Sequence, residues 1–360
     1  MAFTFFQLSR SLSQPARLPA RNEALDGIRG LAALSVAFGH CIISVVGFGV
    51  WNATVFDFPA MMPSDTGYRL LSIAFPSDMA VMVFFVLSGH VLWQSFARKV
   101  LAAQTLPDYI LSRIWRLFPL LVPTTLLMNC FAHAPAADVL SNILLLRTNL
   151  LGVTWSLQVE AVASMGIAIM WLWGGNKTTR VVVSLLLTIT IVPFLRGTLF
   201  VFLPAFALGA LIGSVPTNVW QRRELFWSGL AVALSASVFL SHGGVTRCFE
   251  IVGAMIVVGC MGTRPLRILQ TSPVRFLGAI SYPLYLSHPI GLSLAQALTY
   301  GGYEVHGLTL MVLLAVVSLA ITLPIAWLLH IAVEAPCMRW RPRFAAVPRT
   351  PRGVVSRGGD

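Results

Sequence analysis

Long apolar runs separated by short polar ones recur along almost the whole chain. They cover about 27–49, 76–97, 117–134, 155–174, 181–196, 198–215, 225–241, 249–263, 276–298 and 307–332. A helix needs roughly 20 mostly apolar residues to cross a hydrocarbon core about 30 Å thick. In lipid a helix also satisfies its own backbone hydrogen bonds. The pattern therefore predicts an all-α, polytopic transmembrane helix bundle of about ten spans. Residues 139–153 are apolar too, but they include Arg147 and Asn149, which predicts a partial or interfacial helix.

Composition points the same way. Of 360 residues, 57% are hydrophobic and 11% are charged, against about 25% charged in an ordinary soluble domain. So few charges cannot cover a soluble protein of this length. The net charge of +12 raises the question of a nucleic-acid partner, but the distribution of the basic residues answers it differently. With alternating spans and a cytoplasmic start, 21 of the 25 Lys and Arg residues fall on the inner side, and only Arg69, Arg147, Arg196 and Arg247 fall elsewhere. This is the positive-inside asymmetry of a membrane protein. It predicts cytoplasmic N- and C-termini, with the lipid bilayer rather than nucleic acid as partner.

Residues 1–22 have no sustained apolar core, so they read as a cytoplasmic tail and not as a cleavable signal peptide. Residues 23–340 form the membrane domain, and 341–360 read as a disordered basic cytoplasmic tail. The five cysteines, Cys41, Cys130, Cys248, Cys260 and Cys337, show neither disulfide nor metal spacing, and no internal repeat is visible.

Ionisable groups inside spans are costly and are candidates for function. Arg29 and His40 are eleven residues apart on the first span, about three turns plus 20°, so they share one face with a rise of about 16 Å. Anchoring by Arg29 and a packing hydrogen bond from His40 are the structural alternatives. Gly27, Gly30, Ala32, Ala33 and Gly39 suit close helix packing on either reading. The second span carries Asp78 near its outer mouth and Ser88 and His90 farther in. The inner loop YILSRIWRLFPLLVP places Arg113 and Arg116 three apart on one side of a helical turn. Such a pair suits a phosphate-rich ligand, or simply lipid phosphate. Glu160 lies one to two turns into TWSLQVEAVASM, and Trp155 before it suits an interfacial belt. Ser281, Tyr282, Tyr285 and His288 make the ninth span polar, with Pro283 and Pro289 as kinks. Glu334 sits at the inner end, where a basic loop is its simplest partner. Together these groups suggest a polar track with arginines at the cytoplasmic mouth and proton-handling groups deeper in. Proton chemistry on a bound substrate and proton-coupled transport both fit it.

Ordered motifs carry a resemblance. LDGIRGLAALSVAFGH, FFVLSGH, SRIWRLFP, TWSLQVE, ISYPLYLSHP and VEAP, spread over about 23–340, resemble the successive signatures of the membrane acyltransferase 3 family. The resemblance implies an O-acyltransferase that moves an acyl group, often acetyl, from cytoplasmic acyl-coenzyme A (acyl-CoA) to a hydroxyl of a surface polysaccharide or lipid-linked sugar. It implies no metal. It implies His40 as catalytic histidine, Arg29 as its paired arginine, Arg113 and Arg116 at the coenzyme's phosphates, and Glu160 and His288 at motif positions with unassigned roles. His90 departs from the family's usual Phe and stays outside the catalytic set. The appended extracytoplasmic hydrolase-like domain of some members is not expected here. The family's distribution implies a bacterial inner membrane, with polysaccharide-assembly proteins as candidate partners. A small-molecule acyltransferase and a polysaccharide-precursor transporter are the alternatives, although transporters commonly show repeated halves.

The charge asymmetry generates a topology test. Reporter fusions or cysteine labelling should place positions near 105, 177 and 268 in the cytoplasm and those near 60 and 245 outside. A position near 268 found outside overturns the ten-span arrangement.

Overall fold

The computed structural model describes residues 22–101, 106–174, 177–195, 198–216, 223–240, 246–261, 266–300 and 307–340. Both tails, with Arg10, Arg17, Arg21 and the five basic residues beyond 340, lie outside the described residues. So do Arg196, Arg222, Arg264 and the loop positions near 105 and 245. Every element among the described residues is helical. In chain order the helices are α1 (Glu23–Trp51), α2 (Pro63–Ala74), α3 (Ser77–Leu101), α4 (Leu106–Ala132), α5 (Ala136–Ile143), α6 (Trp155–Gly174) and α7 (Thr178–Ile191). After a short turn at Thr198–Val201 come α8 (Leu203–Ser214), α9 (Glu224–Phe239), α10 (Thr246–Cys260), α11 (Ser272–Ala279), α12 (Ser281–Tyr300), α13 (Gly307–Leu329) and α14 (Ala335–Arg339). A π-helical segment, His330–Glu334, joins the last two.

Among the described residues, five segments are long and apolar enough to cross a membrane: Glu23–Trp51, Pro63–Phe96, Leu106–Ala132, Gly152–Trp173 and Gly307–Arg339. Four shorter apolar helices, Thr178–Ile191, Leu199–Ser214, Glu224–Phe239 and Cys248–Cys260, coincide with the remaining apolar runs except the ninth. That run becomes α11 and α12, divided at Ile280, and the polar side chains of α12 keep it out of the apolar set. The protein is a multi-pass membrane protein.

Several elements differ from the sequence expectation for local reasons. α4 begins at Leu106, eleven residues before the expected span, so Arg113 and Arg116 stand on a helix and not in a loop. Its interior Pro119 and Pro123 do not end it, because neighbouring helices and side chains can re-satisfy freed backbone groups in a membrane bundle. Pro283 falls in the first turn of α12, where its missing N–H would have had no intrahelical partner. α1 is capped by Asn22, whose side chain accepts from the N–H groups of Ala24 and Leu25 at 3.1 and 3.3 Å. It breaks at Gly47, where φ is +71°.

The expected partial helix is α5 followed by an irregular segment. Asn142, fully buried, organises that segment: it donates to Asn149 at 2.6 Å and accepts from the N–H groups of Leu150 and Leu151 at 3.2 and 3.3 Å. This delivers the chain to the start of α6. In the segment after α1, outside the spans, the Thr54 N–H and hydroxyl both donate to Asp57 and hold its carboxyl below the usual range.

The helices meet through small residues. A Cβ at Gly30 would run into the backbone of Leu277 and Gly278, and one at Gly278 into the carbonyl of Asp26, so α1 rests backbone to backbone on α11, while Gly27 faces the carbonyl of Leu269 in the turn just before it. α3 and α8 meet through Gly89, facing the Phe206 backbone, and Gly209, facing Val86. α12 and α13 meet where Gly291 faces Ser318 and Thr322. Lipid supplies no hydrophobic drive between helices, so close packing of this kind carries the association.

These contacts predict unequal costs for two glycine substitutions. Gly30→Leu should lower the thermal midpoint in detergent, since overpacking typically costs about 1–3 kcal/mol. Gly49→Ala, where an added Cβ meets nothing within 4 Å, should change stability by less than about 0.5 kcal/mol. Equal melting curves for both variants would show that the α1–α11 contact does not hold the bundle.

Candidate functional site

Most of the polar groups singled out by the sequence line two adjacent cavities, while Arg113, His90 and His288 line neither. The first, about 480 Å³, is lined by Arg29 and Asp26 from α1, Arg116 from α4, Glu160 from α6, Tyr282 and Tyr285 from α12, and His330 and Glu334 from the π-helical segment. The second, about 340 Å³, is lined by His40, Trp51, Asn52, Asp78, Trp155 and Tyr285, among others. Val81 and Tyr285 line both. They form the common wall between an arginine chamber and a histidine chamber. Arg29 and His40 open into different chambers although they share a stripe of one helix.

In the arginine chamber, opposite charges face one another. Arg29 lies 3.9 Å from Asp26 and is within electrostatic reach of Arg116, Glu334 and Glu160. Glu334 does not find its partner on a basic loop. It takes His330, whose Nδ1 lies 2.7 Å from its carboxylate four residues away. This His330 contact and the Asp26 contact both escaped the sequence reading, though their spacings of four and three residues are visible in the chain.

Arg113 and Arg116 part company. Arg116 lines the arginine chamber. Arg113 is buried: its guanidinium donates to Ser95 at 3.3 Å and lies 5.5 Å from the Tyr109 ring centroid. Three residues on a helix leave two side chains about 60° apart, enough to send one between α3 and α4 and the other into the cavity.

α12 supplies the wall. Tyr282 donates to the Leu117 carbonyl at 2.8 Å, fastening α12 to α4. Tyr285 donates to the Ser156 hydroxyl at 2.9 Å, fastening α12 to the start of α6. One turn on, His288 is 1% exposed and brings its Nε2 to 2.8 Å from His40 Nδ1. The Nδ1 of His288 lies 2.8 Å from the Tyr285 carbonyl. Asp78 is within electrostatic reach of His40 across the histidine chamber. Trp155 packs against Phe85 and Phe202 at ring-centroid distances of 5.8 and 5.1 Å. His90 is buried and lines neither cavity.

A helical bundle with two chambers along one helix, one holding arginines and carboxylates and the other a histidine, defines an integral-membrane protein with ionisable groups in its interior. Comparison with known families makes it specific: the acyltransferase-domain model of the acyltransferase 3 family matches residues 22–331, most of the chain, and the chain belongs to that family of acyltransferases. No curated protein and no solved structure matches it.

Proposed function

We propose that this acyltransferase carries an acyl group, acetyl in the first instance, from cytoplasmic acyl-CoA to a hydroxyl of a cell-surface polysaccharide or lipid-linked sugar. In this reading the chain crosses a bacterial inner membrane ten times and keeps both ends in the cytoplasm. The observation that carries the proposal is the pairing of chambers: one holds Arg29 and Arg116, the next holds His40, and a single tyrosine and a valine stand between.

The donor's phosphates belong at the cytoplasmic mouth, near Arg116. Its pantetheine arm, a neutral chain of amides, suits a chamber whose arginines are already balanced by Asp26, Glu160 and Glu334. The thioester then arrives beside the Val81–Tyr285 wall, and the acceptor enters the histidine chamber from the other side. His40 acts as the base for the acceptor hydroxyl or as a carrier of the acyl group. Arg29 and Glu160 complete the proposed catalytic set, His288 joins it through its contact with His40, and Arg116 and Arg113 are the proposed cofactor-binding pair. The geometry favours a direct contact for Arg116 and a supporting one for Arg113. A cavity of about 340 Å³ also admits a small hydroxylated molecule, the alternative acceptor. Polysaccharide-assembly proteins would be the partners only in the first case.

The deciding assay uses purified protein in nanodiscs, labelled acetyl-CoA and candidate glycans. His40→Ala should lower transfer by at least two decades, since general-base catalysis is typically worth about 10²–10⁴-fold. His40→Gln, which keeps a hydrogen bond but takes up no proton near neutral pH, should be as inactive. Near-normal turnover by a folded Gln variant removes His40 from the mechanism.

The two arginines should separate by readout. Losing one charge-assisted contact is worth about 1.5–3 kcal/mol, so Arg116→Ala should raise the donor KM roughly tenfold or more with little change in melting temperature. Arg113→Ala should act mainly on stability. Donor KM unchanged in the Arg116 variant would reduce that residue to a topology anchor.

A further inference from the structure

We propose that His288 is a positioning residue that selects which nitrogen of His40 reacts, and that this nitrogen is Nε2. The inference rests on the reading of His40 as the reacting group and adds the device that orients it. The hydrogen-bond chain begins at an atom with no choice of role. The Tyr285 carbonyl can only accept, so the His288 Nδ1 at 2.8 Å carries a proton and donates it. In a neutral imidazole one nitrogen donates and the other accepts. His288 Nε2 is therefore the acceptor, and His40 Nδ1, 2.8 Å away, is the donor. A neutral His40 is then left with an unprotonated Nε2.

The opposite assignment needs an imidazolium at 288. The partners of that ring are His40 and backbone carbonyls, so no carboxylate among the described residues bonds to it to balance the charge. Asp78 reaches His40 through its field, but the hydrogen-bond partner of the His40 ring is His288, which accepts from His40 Nδ1.

The consequence for the reaction is definite. His40 Nε2 removes the proton from the acceptor hydroxyl as that oxygen bonds to the thioester carbonyl carbon. The carbon–sulfur bond breaks, and the same proton passes from Nε2 to the departing thiolate, which returns His40 to its starting form. While His40 is doubly protonated, its Nδ1–H stays bonded to His288 Nε2. This holds the ring in place and gives the developing charge a partner, much as a buried acceptor does for the histidine of a hydrolytic triad. If the acyl group instead rides on His40, it rides on Nε2.

Nitrogen-15 NMR of histidine-labelled, detergent-solubilised full-length protein tests this without any substrate. His40 should appear as the Nδ1–H tautomer in the wild type. In His288→Ala it should revert to the Nε2–H tautomer that a free side chain prefers. His288→Gln, whose amide oxygen can accept from His40 Nδ1, should keep the wild-type tautomer. In the transfer assay His288→Ala should lose roughly ten- to hundredfold in kcat, the worth of one hydrogen bond to a group that becomes charged, at unchanged donor KM. The Gln variant should recover most of that loss. Should the Ala variant fail to fold, the wild-type tautomer and the Gln variant still decide. An active enzyme whose His40 carries its proton on Nε2 overturns the role of His288 and leaves the functional reading intact. The Nδ1–H tautomer in a protein that transfers no acyl group supports the pairing and overturns the functional reading.

Discussion

The backbone-to-backbone seam between α1 and α11 is the constraint on which the polar interior depends. Gly27 and Gly30 on one side and Gly278 on the other leave no room for a side chain between them. α11 runs directly into α12, so the seam sets the distance at which α12 faces α1. A hydrogen bond of 2.8 Å between His40 and His288 tolerates displacement of only a few tenths of an ångström. The added width of a single methyl group at the seam exceeds that. The packing of small residues and the meeting of two imidazoles are therefore two ends of one mechanical linkage.

The arginine chamber shows how a bundle keeps charges at membrane depth. Isolated, each would cost a few kcal/mol, and removing one partner of a buried pair leaves the other uncompensated. Here two arginines face three carboxylates, and His330 shares its proton with one of those carboxylates. The chamber's field is thus largely closed on itself. Such an interior accepts a polar, uncharged chain more readily than a bare phosphate, which is held better at the mouth.

Much of this was legible in the chain. Apolar run lengths gave the helices, because a lipid environment forces near-continuous apolar segments. The eleven-residue spacing of Arg29 and His40 gave a shared helix face. What the spacing could not give was the destination of each side chain. Arg113 and Arg116 look like a fork in sequence, yet one is packed against Tyr109 and only the other reaches the cavity. The His40–His288 contact joins residues 248 positions apart and depends on the seam, a property of two helices at once. The α11–α12 break at Ile280 was hidden because the residue that reads as a kink, Pro283, falls inside the first turn of α12 and not at the break.

The wall at Val81 and Tyr285 has a consequence for the cell as well as for the reaction. A polar route running unbroken from one face of a membrane to the other would be a conductance, and protons would follow it down the transmembrane voltage at about 2.3 kcal/mol per 100 mV. The phenol ring of Tyr285, anchored through Ser156, and the Val81 side chain stand between the two chambers. A wall of that kind divides the polar interior into two compartments and denies charge a single continuous conductor.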